Sequence, residues 1–233
     1  MRIVIILISL VCLSMQGQTK SFSVKYGVEF ILTEGSSESI TVLNGIVNNL
    51  KKYEDMLTFE LKVNNGFSKF GLIEQMSLDI NKRLYTKLKI HSSGFTTFYQ
   101  NHNEKFYIKE MSGSLLFTIK DNFKDFKWNI NTKKQKLVLG YKCYFADGEA
   151  IIGSSSKPIG VWFTPSINTS VGPLHLNGLP GLILRIEEDK RTFTAKEIDL
   201  DENNKIIIPN FKETYTEAEF DEILKEKMKR FQR

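Results

Sequence analysis

Cys143 and His175 are the side chains in this 233-residue sequence that could combine a nucleophile with a base. A thiolate beside an imidazole is the arrangement used in cysteine-based covalent catalysis. The cysteine, however, shares an alternating register with Leu139, Tyr141 and Phe145. That register predicts a buried strand position, where thiols are usually inert. We therefore interpret Cys143 as a core residue and expect no catalytic constellation.

Metal-ligand spacings do not occur in the sequence. His91, His102 and His175 lie far apart, and there is no HExxH motif or paired Cys/His spacing. The oxygen-rich residues 199–204 lack the glycine and the spacing of an EF-hand. The serines at 154–156 are not part of a Gly-x-Ser-x-Gly elbow. The sequence thus predicts no metal, no cofactor and no recognisable enzyme.

Two tryptophans are candidate contact residues, together with Cys143 and His175. Trp162 lies between Val161 and Phe163 in an alternating run, so it points to the face opposite theirs. It either contacts a partner on that outer face or packs under a loop or helix. Trp128 is the other candidate.

Trp128 belongs to the densest basic region of the chain, residues 120–136. Aromatic side chains among lysines are typical of proteins that read single-stranded nucleic acid. Asp121 and Asp125 interrupt the run, however, and the export signal described below directs the protein away from nucleic acid. We interpret the region as a solvated hairpin face, with an anionic envelope surface as the alternative partner.

Residues 172–183 carry the most distinctive motif, GPLHLNGLPGLI. Pro180 and Gly181 suit the central positions of a type II turn, and the following residues enter a strand. No lysine or Ser/Thr follows the glycines, so the motif is not a phosphate-binding loop. The positions that we interpret as a structural turn and strand entry are Gly172, Pro173, Gly178, Leu179, Pro180, Gly181, Leu182 and Ile183.

Residues 178–183, GLPGLI, resemble the motif after which the GLPGLI family of exported Bacteroidetes proteins is named. WNI at 128–130, GYKC at 140–143 and VWFT at 161–164 are similar to the surrounding family pattern. The similarity covers residues 115–187, and Phe145 and Asn168 depart from it. The resemblance implies export to the cell envelope or beyond, and it supplies neither an activity nor a catalytic residue.

The first 17 residues have the layout of a secretory signal peptide. A basic start is followed by the apolar residues 3–13 and by small and polar residues. This run is too short to span a bilayer, and Val11 before Cys12 argues against lipid attachment. We therefore predict a signal peptide over 1–17 and one domain over 18–233. The protein would be periplasmic or secreted, not a lipoprotein, without a transmembrane span once mature.

Alternation of apolar and polar residues is the main structural signal after residue 20. Short predicted turns at 111–114, 131–134, 146–149 and 188–190 favour antiparallel neighbours. The sequence therefore predicts a mainly β, β-rich α+β fold, an antiparallel meander curled into a barrel or half-barrel. The predicted strands cover residues 24–32, 57–63, 95–98, 106–108, 115–119, 126–130, 137–145, 161–163, 182–186 and 192–198.

One or two short helices are predicted in the N-terminal part, at 43–57 and, unless it is an irregular loop, at 72–88. An amphipathic C-terminal helix follows the capping box of Thr216 and Glu219. Tyr215 and Phe220 are placed to form a hydrophobic staple. We expect this helix to cover the domain's own core, with a membrane surface or a partner as the alternative.

Composition excludes a disordered or multi-span chain, since 41% of residues are hydrophobic and 25% are charged. The formal net charge of +5 falls by one when Arg2 leaves with the signal peptide. Two functional hypotheses remain. The first is a non-enzymatic module that binds an envelope protein, a peptide or a surface molecule. The alternative is a carrier of a hydrophobic ligand or lipid in a half-barrel, with peripheral membrane contact allowed and nucleic acid excluded as a partner.

Overall fold

A computed structural model describes residues 21–35, 37–74, 81–113, 116–152, 155–201 and 205–231. The predicted signal peptide, Ser154 and residues 202–204 lie outside the described residues. Within them the mainly β prediction is confirmed: an 11-stranded antiparallel sheet accompanies three α-helices. None of the helices in this described part is both long and apolar enough to cross a bilayer.

The strands follow one another along the sheet in an almost unbroken meander, in the order β6-β5-β4-β3-β2-β1-β11-β10-β9-β8-β7. The strands are β1 Phe22–Phe30, β2 Thr58–Asn64, β3 Phe67–Leu72, β4 Thr96–Asn101, β5 Phe106–Met111, β6 Phe117–Asn122, β7 Asn129–Val138, β8 Tyr141–Ile152, β9 Ser155–Thr164, β10 Leu182–Glu187 and β11 Arg191–Asp199. The helices are α1 Glu38–Lys51, α2 Lys82–Ser92 and α3 Glu217–Phe231, and a short 3₁₀ turn covers Glu54–Met56.

The sheet is strongly curled, because its two edge strands are neighbours in the chain. The linker between β6 and β7 covers only residues 123–128 and can reach about 25 Å at most. In a flat sheet of eleven strands the two edges would lie roughly 48 Å apart. The edges do not pair with each other. The fold is therefore a half-barrel, one of the two forms that the sequence predicts, and a closed barrel is not formed.

Aromatic and branched side chains fill the inner face of the half-barrel. Phe59 stacks on Phe70 with ring centroids 5.6 Å apart, and Phe193 meets Phe59 edge-on at 5.1 Å. These rings belong to β2, β3 and β11, so the core extends across the central strands. The buried Tyr26 hydroxyl donates to the Ile183 carbonyl at 2.7 Å. This hydrogen bond joins β1 to the beginning of β10.

Two of the predicted turns are wrong. Residues 131–134 form an irregularity inside β7, and residues 146–149 run through the middle of β8. The predicted strand over 137–145 is instead broken by a hairpin turn at Leu139 and Gly140, which have φ of 51° and 80°. The sequence analysis also missed β3, although Asn65 and Gly66 form a comparable turn before it, with φ of 49° and 79°.

The helices begin where a side chain can cap them. Ser37 Oγ accepts the Ile40 N–H at 3.3 Å, so α1 starts before the predicted range and ends at Lys51. The predicted capping box of α3 is formed: Thr216 N donates to Glu219 Oε2 at 2.7 Å, and Glu219 N donates to Thr216 Oγ1 at 3.2 Å. Tyr215 and Phe220 both pack on Phe117 of β6.

Candidate functional site

Residues 170–178 form a small inner hairpin that enters the half-barrel. Val171 pairs with Asn177, and Gly178 N donates to Ser170 O at 3.2 Å. At the tip, Leu176 N donates to Pro173 O at 3.2 Å. The buried side chains of the hairpin are Val171, Pro173, Leu174, His175 and Leu176. A segment without strand or helix periodicity thus becomes part of the core.

The tip of the inner hairpin is held by β4. Gln100 Nε2 donates to the Gly172 carbonyl at 3.3 Å and lies 3.5 Å from the Leu174 carbonyl. Leu174 itself has φ of 60°, a left-handed conformation that is energetically unfavourable for leucine. A methyl group on Gly172 would lie 2.6 Å from Ile183 Cδ1. Glycine at 172 therefore lets the hairpin pack closely on β10.

The second half of the motif makes a tighter turn than the sequence predicts. Gly181 N donates to Leu179 O at 2.9 Å, which closes a three-residue turn around Pro180 in place of a type II turn. Gly181 has φ of 152°, and an added Cβ would lie 2.2 Å from the Thr164 carbonyl oxygen. Strand β10 begins at the next residue, and Leu179, Leu182 and Ile183 are all buried.

Trp128 ends the linker between the two edge strands and rests on the inner hairpin. Its Nε1 donates to Asn177 O at 2.9 Å, and its ring stacks on Phe126 at 5.4 Å. A Cβ on Gly148 would lie 3.0 Å from this ring. Gly178, with φ of 87°, turns the chain beside the same ring. Trp128 thus joins the linker, β8 and the motif.

His175 lies at the centre of the interior, among three aromatic rings. Its ring centroid is 5.7 Å from that of Phe98, 5.0 Å from that of Tyr107 and 5.9 Å from that of Phe126. The residue is 7% exposed, and neither ring nitrogen has a hydrogen-bond partner among the described residues. Burial, reinforced by Lys109 and Lys124, lowers the pKa of His175 well below its usual value. The ring is therefore neutral at pH 7.

Cys143 is not paired with His175, because the histidine nitrogens have no hydrogen-bond partner within the part of the chain that the structure describes. The cysteine is fully buried on β8, and its Sγ lies 3.5 Å from the Tyr141 carbonyl. Burial raises the pKa of its thiol to about 11. A protonated, buried thiol without a base is a poor nucleophile.

Trp162 lies on the opposite face of the sheet from the inner core, where it is packed by neighbouring side chains. Its Nε1 donates to Glu187 Oε1 at 3.1 Å. Lys136 Nζ lies 4.4 Å from the centre of the indole, and the Phe145 ring lies at 5.2 Å. Only 5% of Trp162 is exposed. This geometry is that of cation–π packing under lysine side chains.

A cavity of 410 Å³ lies inside the half-barrel, between opposite walls and beneath α3. One wall comes from β4, β5 and β6, and the other from β9 and from the turn between β10 and β11. The inner hairpin and α3 complete it. The apolar lining consists of Phe98, Met111, Ile119, Ile159, Leu174, Leu176, Phe220 and Leu224.

Two buried ion pairs accompany the cavity. Lys109 of β5 contacts Glu217 of α3, and both side chains are largely shielded from solvent. The Tyr107 hydroxyl donates to the same Glu217 carboxylate at 3.0 Å. The other pair joins Arg191 to Glu188.

Arg191 also extends the wall to α2. Its Nη1 donates to Ser93 Oγ at 2.7 Å, just beyond the last residue of that helix. Together the two buried ion pairs fix α3 and α2 to the walls of the half-barrel.

The sequence analysis missed these lining residues, with the exception of His175. In the sequence, Glu217 is only an acidic residue in the first turn of a helix. Acidic residues are common there because they interact favourably with the helix dipole, so the position does not identify a cavity residue. Lys109 lies two residues from Tyr107 and from Met111 in β5, so the three side chains share the inward face, a signal that could have identified it. Among the described residues, no three His, Cys, Asp or Glu side chains are grouped to hold a metal ion.

Comparison with known proteins gives a likeness of fold. No family model and no curated protein matches the chain. Among solved structures, PNGF-II in space group C2 superposes with a TM-score of 0.52 at 13% identity, over 87% of this chain and 32% of that chain. PNGF-II in space group P2₁ gives 0.49 at 12% identity, over 88% of this chain and 32% of that chain. The chain thus spans about a third of the solved structures it matches.

Proposed function

We propose that this protein is an exported, non-enzymatic binding module that holds an apolar ligand in the cavity beneath α3. The observation that carries the proposal is the cavity itself. The cavity is a cleft of 410 Å³ that is open to solvent on one side, and its lining is mainly apolar with a few polar groups, which is the usual character of a small-molecule site. Its volume falls within the range of about 300–1,000 Å³ that is typical of small-molecule sites.

The lining supports an apolar occupant. Side chains from opposite walls, such as Met111 of β5 and Ile159 of β9, face the same space. Their hydration in the empty state would be unfavourable, and an apolar ligand would replace the water there. At about 30 Å³ for each water-sized group, the cavity has room for roughly a dozen such groups.

Helix α3 is suited to act as the cover of the cavity. Phe220 and Leu224 line the cavity from the helix, and Glu217 anchors its first turn to β5. Farther along, Met228 is 62% exposed, and Lys225, Lys227 and Lys229 surround it in the sequence. Such a helix end supports peripheral contact with a membrane, from which an apolar ligand would be taken.

A protein or peptide partner, the other function that the sequence predicts, is supported by edge strand β7. Most of its side chains are exposed, and within the described residues only one of its edges pairs with another strand. An extended peptide could add to the free edge. Lys133, Lys134 and Lys136 crowd this strand, however, and charged edge residues usually oppose strand addition. The cavity therefore supports the ligand-binding proposal more strongly.

Native mass spectrometry and dye binding would test the proposal. The mature protein isolated from its native envelope should carry a small apolar molecule, and the emptied protein should bind the neutral dye Nile red. Met111→Trp should fill the cavity and abolish dye binding. Leu137→Trp adds the same side chain at an exposed position of β7 and should leave it unchanged.

Absence of both a bound molecule and dye binding would overturn the proposal. A stoichiometric protein partner in its place would support the β7 alternative.

A further inference from the structure

His175 is the one deeply buried group of the cavity lining for which the structure shows no hydrogen-bonding arrangement within the described residues. Neither of its two ring nitrogens has a hydrogen-bond partner among these residues, although only 7% of the residue is exposed. A buried polar group without a hydrogen bond is energetically unfavourable. The ring also lines the cavity directly. A bound molecule is the natural source of the missing hydrogen bonds.

A neutral imidazole presents one N–H donor and one acceptor nitrogen. The two ring nitrogens point in different directions, so a small head group hydrogen-bonds to one of them at a time. A hydroxyl or an amide can pair with either nitrogen, because it both donates and accepts, whereas a carboxylate can pair only with the N–H and an ammonium group only with the acceptor nitrogen. His175 can therefore hold a neutral polar head group in either tautomer.

The charges around the cavity point in the same direction. Its two cations, Lys109 and Arg191, are each in contact with a carboxylate, Glu217 and Glu188. Asp221 is a further acidic lining residue. An anionic head group would therefore meet no unpaired cation among the lining residues and would be repelled by the acidic excess.

We infer that the ligand is a single-chain amphiphile with a neutral hydroxyl or amide head group, which binds His175 while the apolar chain fills the rest of the cavity. This inference rests on the proposed function, and it adds the chemical class of the ligand and the residue that selects it. The aromatic rings of Phe98, Tyr107 and Phe126 hold the imidazole in place for this contact.

The test compares three ligands of equal chain length, 1-decanol, decanoate and decylammonium, by displacement of Nile red at pH 8. We expect the full-length mature protein to bind decanol about tenfold more tightly than either ion. His175→Leu should weaken decanol binding about tenfold, and His175→Gln, which keeps a donor and an acceptor, should lose less. Urea unfolding of each variant checks that it is folded.

His102→Leu is the matched control. His102 is also a histidine with an unpartnered nitrogen, Nε2, but it is not among the residues that line the cavity. Its replacement should leave all three affinities unchanged. Equal binding of decanol and decanoate, or an undiminished affinity for decanol in His175→Leu, would overturn the inference while the proposed function stands. Failure of the dye and of every ligand to bind would overturn both.

Discussion

Gly172 and Gly181 occupy positions where any side chain would overlap with a neighbour. At Gly181 the neighbour is the backbone of Thr164, which belongs to the end of β9 and cannot rotate away. At Gly172 it is the tip of the Ile183 side chain and the Leu176 carbonyl. The glycines of the motif therefore serve close packing, and Leu174 and His175 are the residues that they bring to the cavity.

Gly181→Ala should lower the free energy of unfolding by about 2–4 kcal/mol, because the new methyl group would overlap with the Thr164 carbonyl. Gly45→Ala is the control, since it lies inside α1 with no atom within 4 Å of the added Cβ. There the same change should stabilise the protein by about 0.5–1 kcal/mol. Urea denaturation measures both. Similar values for the two variants would refute the packing role of Gly181.

At the scale of elements, α3 is attached to the sheet by a polar contact more than by its apolar stripe. Leu224 is 39% exposed on the helix, whereas Glu217 is buried against Lys109 and Tyr107. The segment before the helix adds to this, because Tyr215 N donates to Thr118 O at 2.9 Å and Lys120 N donates to Tyr215 O at 2.8 Å. The N-terminal end of α3 is thus fixed to β6.

Glu217→Ala should lower the free energy of unfolding by about 3 kcal/mol, because it leaves the Lys109 ammonium buried without its partner. Glu222→Ala breaks the pair with Lys225 on the same helix, where both side chains are mostly exposed. That variant should unfold at the same temperature as the wild type, since exposed ion pairs contribute little to stability. Thermal unfolding followed by circular dichroism makes the comparison. A loss of stability in Glu222→Ala equal to that in Glu217→Ala would contradict this role for the buried pair.

The regular elements are better predicted from the sequence than the site is. Alternation identifies β1 and the capping box identifies α3, because both patterns depend on near neighbours in the chain. Polar residues at 131–134 resemble a turn, but in an edge strand such as β7 they are exposed and remain in the strand. The inner hairpin could not be predicted, because burial of Leu176 depends on walls that lie far away in sequence.

At the scale of the whole molecule, the linker over residues 123–128 brings the edges of the half-barrel together. Two phenylalanine rings of the linker each contact a histidine ring. Phe123 meets the His102 ring at 5.0 Å, and Phe126 meets the His175 ring at 5.9 Å. Burial lowers the pKa of His102 to about 4. Both histidines are therefore neutral in the folded protein near pH 6. In the unfolded chain the same two side chains would bind protons at that pH.

Acid should destabilise the protein well above the pH at which carboxylates titrate. Below pH 6.5 the unfolded state binds protons that His102 and His175 in the folded state do not. The free energy of unfolding should therefore fall by about 1.4 kcal/mol per pH unit for each histidine as the pH decreases from 6.5 towards 4. The double variant His102→Leu, His175→Leu should lose most of this slope. Urea titrations at pH 7.5, 6 and 5 decide the matter, and equal slopes in both proteins would rule out the histidines as the cause.

The position of β1 in the middle of the sheet has a consequence for the order in which the molecule can assemble. Strands β1 to β6 pair with neighbours close in the chain, so they can form as soon as they are synthesised. The other edge of β1 pairs with β11, where Phe30 meets Arg191. Closing so long a loop is entropically costly and slow. The topology thus predicts that strands β1 to β6 and strands β7 to β11 fold first and pair with each other last. Until β11 pairs with it, β1 has an unpaired edge that can bind other strands.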